Sequence, residues 1–204
     1  MFSEAENHPQ ALTRALWLAS GSRYRRDLLG RLGIPFEHRS PEVDESRLAG
    51  ETPAALAERL ALLKARAVAD HEPGALVIGS DQVCALGDEC LGKPGNRAGQ
   101  AAMLARLSGQ LVTFHTAVAI VGIEAGLWQR HRDETRCRFR TLSSDDIEDY
   151  VSREPAVDCA GGFKCEGLGI SLLERMQSDD PTAIIGLPLI WVAAILRPFA
   201  ATKP

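Results

Sequence analysis

Apolar and polar positions along this chain repeat with two different periods, and the places where the period changes outline the elements. Residues 15–19 read ALWLA, a short apolar run that stops at Ser20-Gly21-Ser22. The following RYRRDLLGRLG carries Leu28, Leu29 and Leu32 at helical spacing, which predicts strand, tight turn and helix in succession. Residues 53–70 open on a proline suited to a first helical turn and place Leu56, Leu60, Leu63 and Ala67 on one stripe, the predicted core face of a long helix. Residues 75–79, ALVIG, form a β-type run that the polar pair Ser80-Asp81 is expected to end, and open α/β sheets keep their ligands at such strand ends. Residues 112–121 and 128–142 are rich in β-formers, the second segment approximately alternating, and predict an antiparallel hairpin through residues 122–126. A cap signal at Ser143 opens a helix to Arg153 with Ile147 and Val151 four apart, and residues 187–196 read as a final buried helix entered through Gly186-Leu187-Pro188. The class is α/β with a mixed sheet.

Composition narrows the functional classes. The 204 residues suffice for a substantial core, and 45% hydrophobic with 25% charged residues is ordinary for a folded domain. We expect a single domain over 15–200, with residues 1–14 as a loose extension. The net charge of −4 supplies no positive field for a nucleic-acid backbone, so no nucleic-acid partner is expected. The longest apolar stretch, residues 183–196, contains Gly186 and Pro188 and is too short to span a bilayer, and the first residues lack a signal-peptide core. No membrane association and a cytoplasmic address are the expectations. Five cysteines, with no C-x-x-C pair, read as reduced thiols packed as small residues.

Several residues carry candidate chemistry. Ser20, Ser22, Arg23, Tyr24, Arg25 and Arg26 gather hydroxyls and cations at a helix start, where free N–H groups and the helix dipole attract anions; the basic residues oppose that dipole, which favours a phosphate over a merely capped and solvated first turn. Glu42, Asp44 and Glu45 form an acidic loop that spacing alone would leave solvated. With Asp81 they could instead share one divalent cation, for which oxygen ligands favour magnesium or manganese. Lys64 falls on the border of the predicted apolar stripe, where snorkelling is the plain explanation, and Lys93 lies in the turn-forming Leu91-Gly92-Lys93-Pro94-Gly95. The five histidines lack metal-ligand spacing, and no hydrolase triad or zinc-protease motif occurs.

In combination these segments resemble the Maf family of nucleotide pyrophosphatases from about Leu16 to Arg197. The opening L-A-S-x-S-x-x-R-R appears at residues 18–26, the acidic loop at 42–45, G-S-D at 79–81 and G-K-P at 92–94. A-G-G-F-K-C-E-G-L-G follows at 160–169 and G-L-P-L at 186–189. Gln82 and Glu166, with an aromatic at position 24, resemble the branch acting on 7-methyl-GTP, whereas the dTTP/UTP branch tends to carry Thr, Gln and Arg there. Arg23 replaces a usual Pro, Tyr24 a usual Trp, and Leu63 an acidic residue whose loss implies that a partner of Lys64 has gone or moved.

The resemblance implies a mixed elongated sheet flanked by helices, like that of inosine triphosphatases, with two lobes around a central nucleotide cleft. It also implies metal-dependent hydrolysis of a nucleoside triphosphate to the monophosphate and pyrophosphate as house-cleaning, and leaves a homodimer open. In this reading Asp81 orients or deprotonates the attacking water, and Glu45 joins Asp81 in holding Mg2+ or Mn2+. Arg25, Lys64 and Lys93 offset phosphate charge and Ser20 and Ser22 position phosphate oxygens. Tyr24, Gln82 and Glu166 select the base, since a cationic 7-methylguanine suits an aromatic face and a carboxylate. Pyrimidine triphosphates, or a nucleotide-sensing regulator of cell division, are the alternatives.

Overall fold

Seven strands share one sheet in the computed structural model, which describes residues 12–201. In chain order the strands are β1 Leu16–Ala19, β2 Glu37–His38, β3 Leu76–Leu86, β4 Glu89–Leu91, β5 Leu111–Gly122, β6 Leu127–Phe139 and β7 Leu173–Gln177. The helices are α1 Arg23–Gly30, α2 Pro53–Ala69, α3 Arg97–Leu107, α4 Ser144–Arg153 and α5 Leu189–Leu196. The sheet order is β2-β1-β3-β5-β6-β7, with β4 pairing β3; β1 runs parallel to both its neighbours and the remaining pairings are antiparallel.

Alternation along β3 assigns its two faces. Leu76 and Ile78 join Leu16 and Leu18 of β1 in a core closed by Leu28 and Leu29 of α1 and Val192 and Leu196 of α5. Val77 and Val83 point to the other face, against α2. A third apolar cluster lies at the far end of β3 and β5, where Cys84 and Phe114 pack with α3, α4 and Phe163. The long strands β3 and β5 thus pass from one apolar cluster to the other, and Ser80, Asp81 and Gln82 interrupt the apolar run of β3 between them.

The sheet edge is open at the same place. β1 follows β3 only as far as Ala19 opposite Gly79, and β4 takes up the edge at Cys84 opposite Leu91. Among the described residues no strand partners β3 between these points on that edge, so a cleft forms at mid-strand.

Three sequence expectations change here. β3 continues seven residues past Gly79, so Ser80 and Asp81 lie inside a strand and the strand that ends beside the cleft is β1. The buried face of α2 is turned relative to the expected stripe: Ala57, Ala61, Ala65 and Ala69 are buried together with Leu56 and Leu60, Leu63 is exposed, and Lys64 is itself buried. The cause is close packing at Gly79, where a Cβ would fall inside contact distance of the Ala61 carbonyl oxygen and the Ala65 nitrogen. Only small residues let the helix approach the strand so nearly. Lastly, β6 ends at Phe139 rather than Leu142, and β2, β4, α3 and β7 had no counterpart in the sequence pattern.

The other predicted elements stand as expected. Ser143 caps α4 in a reciprocal box with Asp146, and the hairpin of β5 and β6 pairs from Leu111 opposite Arg138 to Gly122 opposite Leu127. Of the extension expected over residues 1–14, residues 1–11 lie outside the described residues; Leu12 bridges to Ala200, and Arg14 donates to the Gly74 carbonyl at 3.0 Å.

Candidate functional site

At the larger end of the cleft, the turn after β1 leads into the start of helix α1. Ser20 Oγ accepts from the Ser22 amide at 3.1 Å and Ser22 Oγ caps α1 by accepting from the Arg25 amide at 3.4 Å. Among the described residues the amides of Arg23 and Tyr24 have no acceptor, so donors and the positive end of the helix dipole face the cavity together. This cavity, ≈ 460 Å³, is also lined by Lys64, Lys93 and Glu45.

Lys64 is the centre of charge there. Its Nζ donates to Asp81 Oδ1 at 2.7 Å and lies 2.6 Å from Glu45 Oε1. The lysine and aspartate side chains are 9% and 11% exposed, while Glu45 is 59% exposed, so the ammonium is paired from behind by a buried carboxylate and in front by a mobile-length side chain at the cleft. A buried ammonium without such partners would be costly. The partner of Lys64 that Leu63 does not supply comes from β3 and the acidic loop. That loop is itself anchored: Arg59 of α2 binds both oxygens of Glu51 at 2.7 and 2.9 Å and the Ser46 carbonyl at 2.8 Å. Asp44 accepts from the Ser46 amide and Glu42 stays exposed, so neither joins Glu45 at Lys64.

Arg25 connects the two ends of the cleft. Its Nε donates to the Gly186 carbonyl at 3.0 Å and its Nη1 to Ser20 Oγ at 3.3 Å. Burial pulls this guanidinium below its ordinary value, and Asp81 and Glu45 oppose the shift. Ser80 Oγ, fully buried, lies 2.9 Å from the same Gly186 oxygen and 2.8 Å from the Ala117 carbonyl. Gly186 has φ of 125°, which favours glycine.

The second cavity, ≈ 120 Å³, has a mixed lining: Phe114, Phe163, Ile184 and Ile185 supply apolar surface, and Arg25, Gln82, Lys93, Asp158, Lys164 and Glu166 supply polar and charged groups. Gln82 Nε2 lies 3.0 Å from the Ala183 carbonyl and 2.9 Å from that of Ile184. Carbonyls only accept, so this atom is the amide nitrogen, and among the described residues Oε1 has no hydrogen-bond donor. Glu166 lies exposed at the rim. Tyr24 borders both cavities, and the Arg23 guanidinium stands over its ring at 4.8 Å from the centroid, which leaves one ring face for a ligand.

The structure therefore brings Ser20, Ser22, Tyr24, Arg25, Glu45, Lys64 and Lys93 to one cleft, with Gln82 and Glu166 in its second cavity and Asp81 reached through Lys64. Sequence reasoning missed Asp158 and Cys159, which line the cleft just before the A-G-G-F segment, and the backbone carbonyls around Gly186, which have no side-chain signature. Of the cysteines, Cys159 and Cys165 line the cleft, and burial holds both thiols above their ordinary value, that of Cys159 at about 11. For a metal, the hard oxygen donors nearest the cleft are the carboxylates of Glu45 and Asp81, whose near oxygens both meet the Lys64 ammonium, at 2.6 and 2.7 Å. Among the described residues no cluster of three or more His, Cys, Asp or Glu side chains exists, so further ligands would come from phosphate oxygens and water.

The cleft of this α/β fold thus has backbone donors and cations at one end and aromatic rings among polar groups at the other. The chain matches the family described as Maf-like protein over residues 15–199, and it belongs to the Maf family. It is 55% identical over 182 residues to a 7-methyl-GTP pyrophosphatase of Xanthomonas oryzae pv. oryzae (strain MAFF 311018), covering 89% of this chain and 95% of that protein. It is 53% identical over 183 residues to the 7-methyl-GTP pyrophosphatase of Cupriavidus metallidurans, covering 90% and 92%. Among the described residues no helix is long and apolar enough to cross a membrane.

Proposed function

We infer that this protein is a metal-dependent nucleoside triphosphate pyrophosphatase that hydrolyses 7-methyl-GTP to 7-methyl-GMP and pyrophosphate. The observation that carries the reading is the placement of Lys64 and Glu45 at the end of the cleft where the α1 N-terminus meets Lys93, with Asp81 paired to Lys64 from behind and Gln82 and Glu166 at the other end. The relatives named 7-methyl-GTP pyrophosphatase, above half identical over nearly their whole length, support the same substrate.

In this function the amides of Arg23 and Tyr24, with Ser20 and Ser22, hold phosphate oxygens, while Arg25, Lys64 and Lys93 offset the negative charge that grows on the leaving pyrophosphate. Asp81 orients and accepts a proton from the water that attacks the α-phosphorus, and Lys64 holds that carboxylate in place. Mg2+ or Mn2+, held by Glu45 and Asp81 with phosphate oxygens, would supply charge neutralisation and alignment of the triphosphate. The free face of Tyr24, the Gln82 Oε1 acceptor and the Glu166 carboxylate favour a cationic purine. The role that follows is removal of a modified nucleotide from the cytoplasmic pool.

Product analysis tests this. Incubation of 7-methyl-GTP with enzyme and Mg2+ in 18O-water is expected to give labelled monophosphate and unlabelled pyrophosphate, abolished by EDTA. Release of inorganic phosphate and a diphosphate instead would refute it.

A further inference from the structure

The two cavities are contiguous, and the residues lining both of them mark the place where they join: Ser22, Tyr24, Arg25, Lys93 and Asp158. In a nucleotide the sugar lies between base and phosphates. With phosphates at the α1 N-terminus and a base over Gln82 and Phe163, the sugar must lie at this junction. Four of the five junction residues are cations or hydroxyls, and these serve phosphate or ring. Asp158 is the one anionic acceptor among them, and a carboxylate there would repel phosphate rather than bind it.

Asp158 is also uncommitted. It is exposed, and among the described residues it makes no ion pair; the one hydrogen bond to its side chain is a weak donation from the Cys159 thiol at 3.6 Å. The same sulfur lies 3.7 Å from the Tyr24 hydroxyl, so the Asp158 carboxylate and the Tyr24 ring meet at one side chain of the cleft wall. Sugar hydroxyls are donors that a carboxylate accepts strongly, and a vicinal pair matches its two oxygens.

We propose that Asp158 binds the ribose hydroxyls of the nucleotide and makes the site selective for ribonucleotides over deoxyribonucleotides. The inference rests on the nucleotide reading of the cleft, but not on turnover. Asp158 contributes to ground-state and transition-state binding alike, so its loss raises KM more than it lowers kcat.

The test is calorimetric binding of GMP, 2′-deoxy-GMP and 3′-deoxy-GMP to wild type, Asp158→Ala and Asp158→Glu, with and without Mg2+, alongside kcat and KM for GTP and its two deoxy forms. Wild type is expected to prefer the ribose form over at least one deoxy form by about tenfold or more, as for a hydrogen bond to a charged acceptor. Asp158→Ala should weaken GMP most and each mono-deoxy form less, since each keeps one hydroxyl for the carboxylate, so that the three converge, and Asp158→Glu should recover part of the preference. Equal affinity of wild type for all three, or an equal loss for all three in Asp158→Ala, would overturn the proposal. Selective binding without turnover would keep it and sink the pyrophosphatase reading, whereas turnover with no sugar preference would do the reverse.

Discussion

The ammonium of Lys64, in the middle of the buried face of α2, is 2.7 Å from Asp81 Oδ1 in the middle of β3. Neither residue lies at an element end; the contact exists because α2 packs onto Gly79. Asp81→Asn keeps the shape and removes the charge, and is expected to lower kcat by about 10² to 10⁴-fold, the range of a lost general base, with little change in KM. Lys64→Met leaves Asp81 buried without its cation and should cost about 3–5 kcal/mol of stability as well as activity. Chemical denaturation alongside steady-state kinetics checks both.

The packing at Gly79 makes a separate prediction. In Gly79→Ala the new methyl meets helix backbone, which cannot swing aside like a side chain, so α2 must shift. A destabilisation of about 1–3 kcal/mol is expected from overpacking, with kcat falling because Lys64 moves with the helix. A urea midpoint equal to that of wild type would contradict the close approach.

Base choice is expected to follow the second cavity. Glu166→Gln should reduce the preference for 7-methyl-GTP over GTP by about tenfold, since a charge-assisted contact to the cationic base becomes neutral. Tyr24→Leu should act in the same direction, because it keeps bulk and removes the ring face. Competition assays with both nucleotides read the ratio directly, and a ratio unchanged in both variants would remove these residues from selection.

The acidic loop carries a pH prediction. Arg59 holds the Glu51 carboxyl down at about 2, against an ordinary value of 4.5. A depressed carboxyl stabilises the fold fully above its unfolded value and loses that contribution as pH falls through the folded one. The melting temperature of wild type should therefore exceed that of Glu51→Gln above pH 5, and the gap should close between about pH 4.5 and 2. Thermal melts of both proteins across this range check it.

Much of this fold was legible because its signals are local. Pro53 at the start of α2, Ser143 at α4, and the alternation within β6 each dictate structure within a few residues. The length of β3 was not legible, since Ser80, Asp81 and Gln82 read as a polar break; the Ser80 hydroxyl, the Gln82 amide nitrogen and Asp81 Oδ1 find partners 17 to 106 residues away. Helix α3 was missed because RAGQAAMLARL offers little contrast between its faces, and its one buried polar residue, Gln100, is satisfied by the carbonyls of Glu154 and Gly162 and the amide of Ala156. At the site, the cationic and anionic residues could be named from the motifs, but the Lys64 pairing depends on how far α2 is rotated. Asp158 acquires meaning only where two cavities meet.

The most direct measurement is pyrophosphate release with Mg2+ across 7-methyl-GTP, GTP, dTTP, UTP and CTP, by wild type and Asp81→Asn in parallel. The account predicts that 7-methyl-GTP has the highest kcat/KM and that its turnover collapses in the variant. Faster turnover of the pyrimidine triphosphates, or nucleotide binding with no pyrophosphate from any of the five, would contradict it.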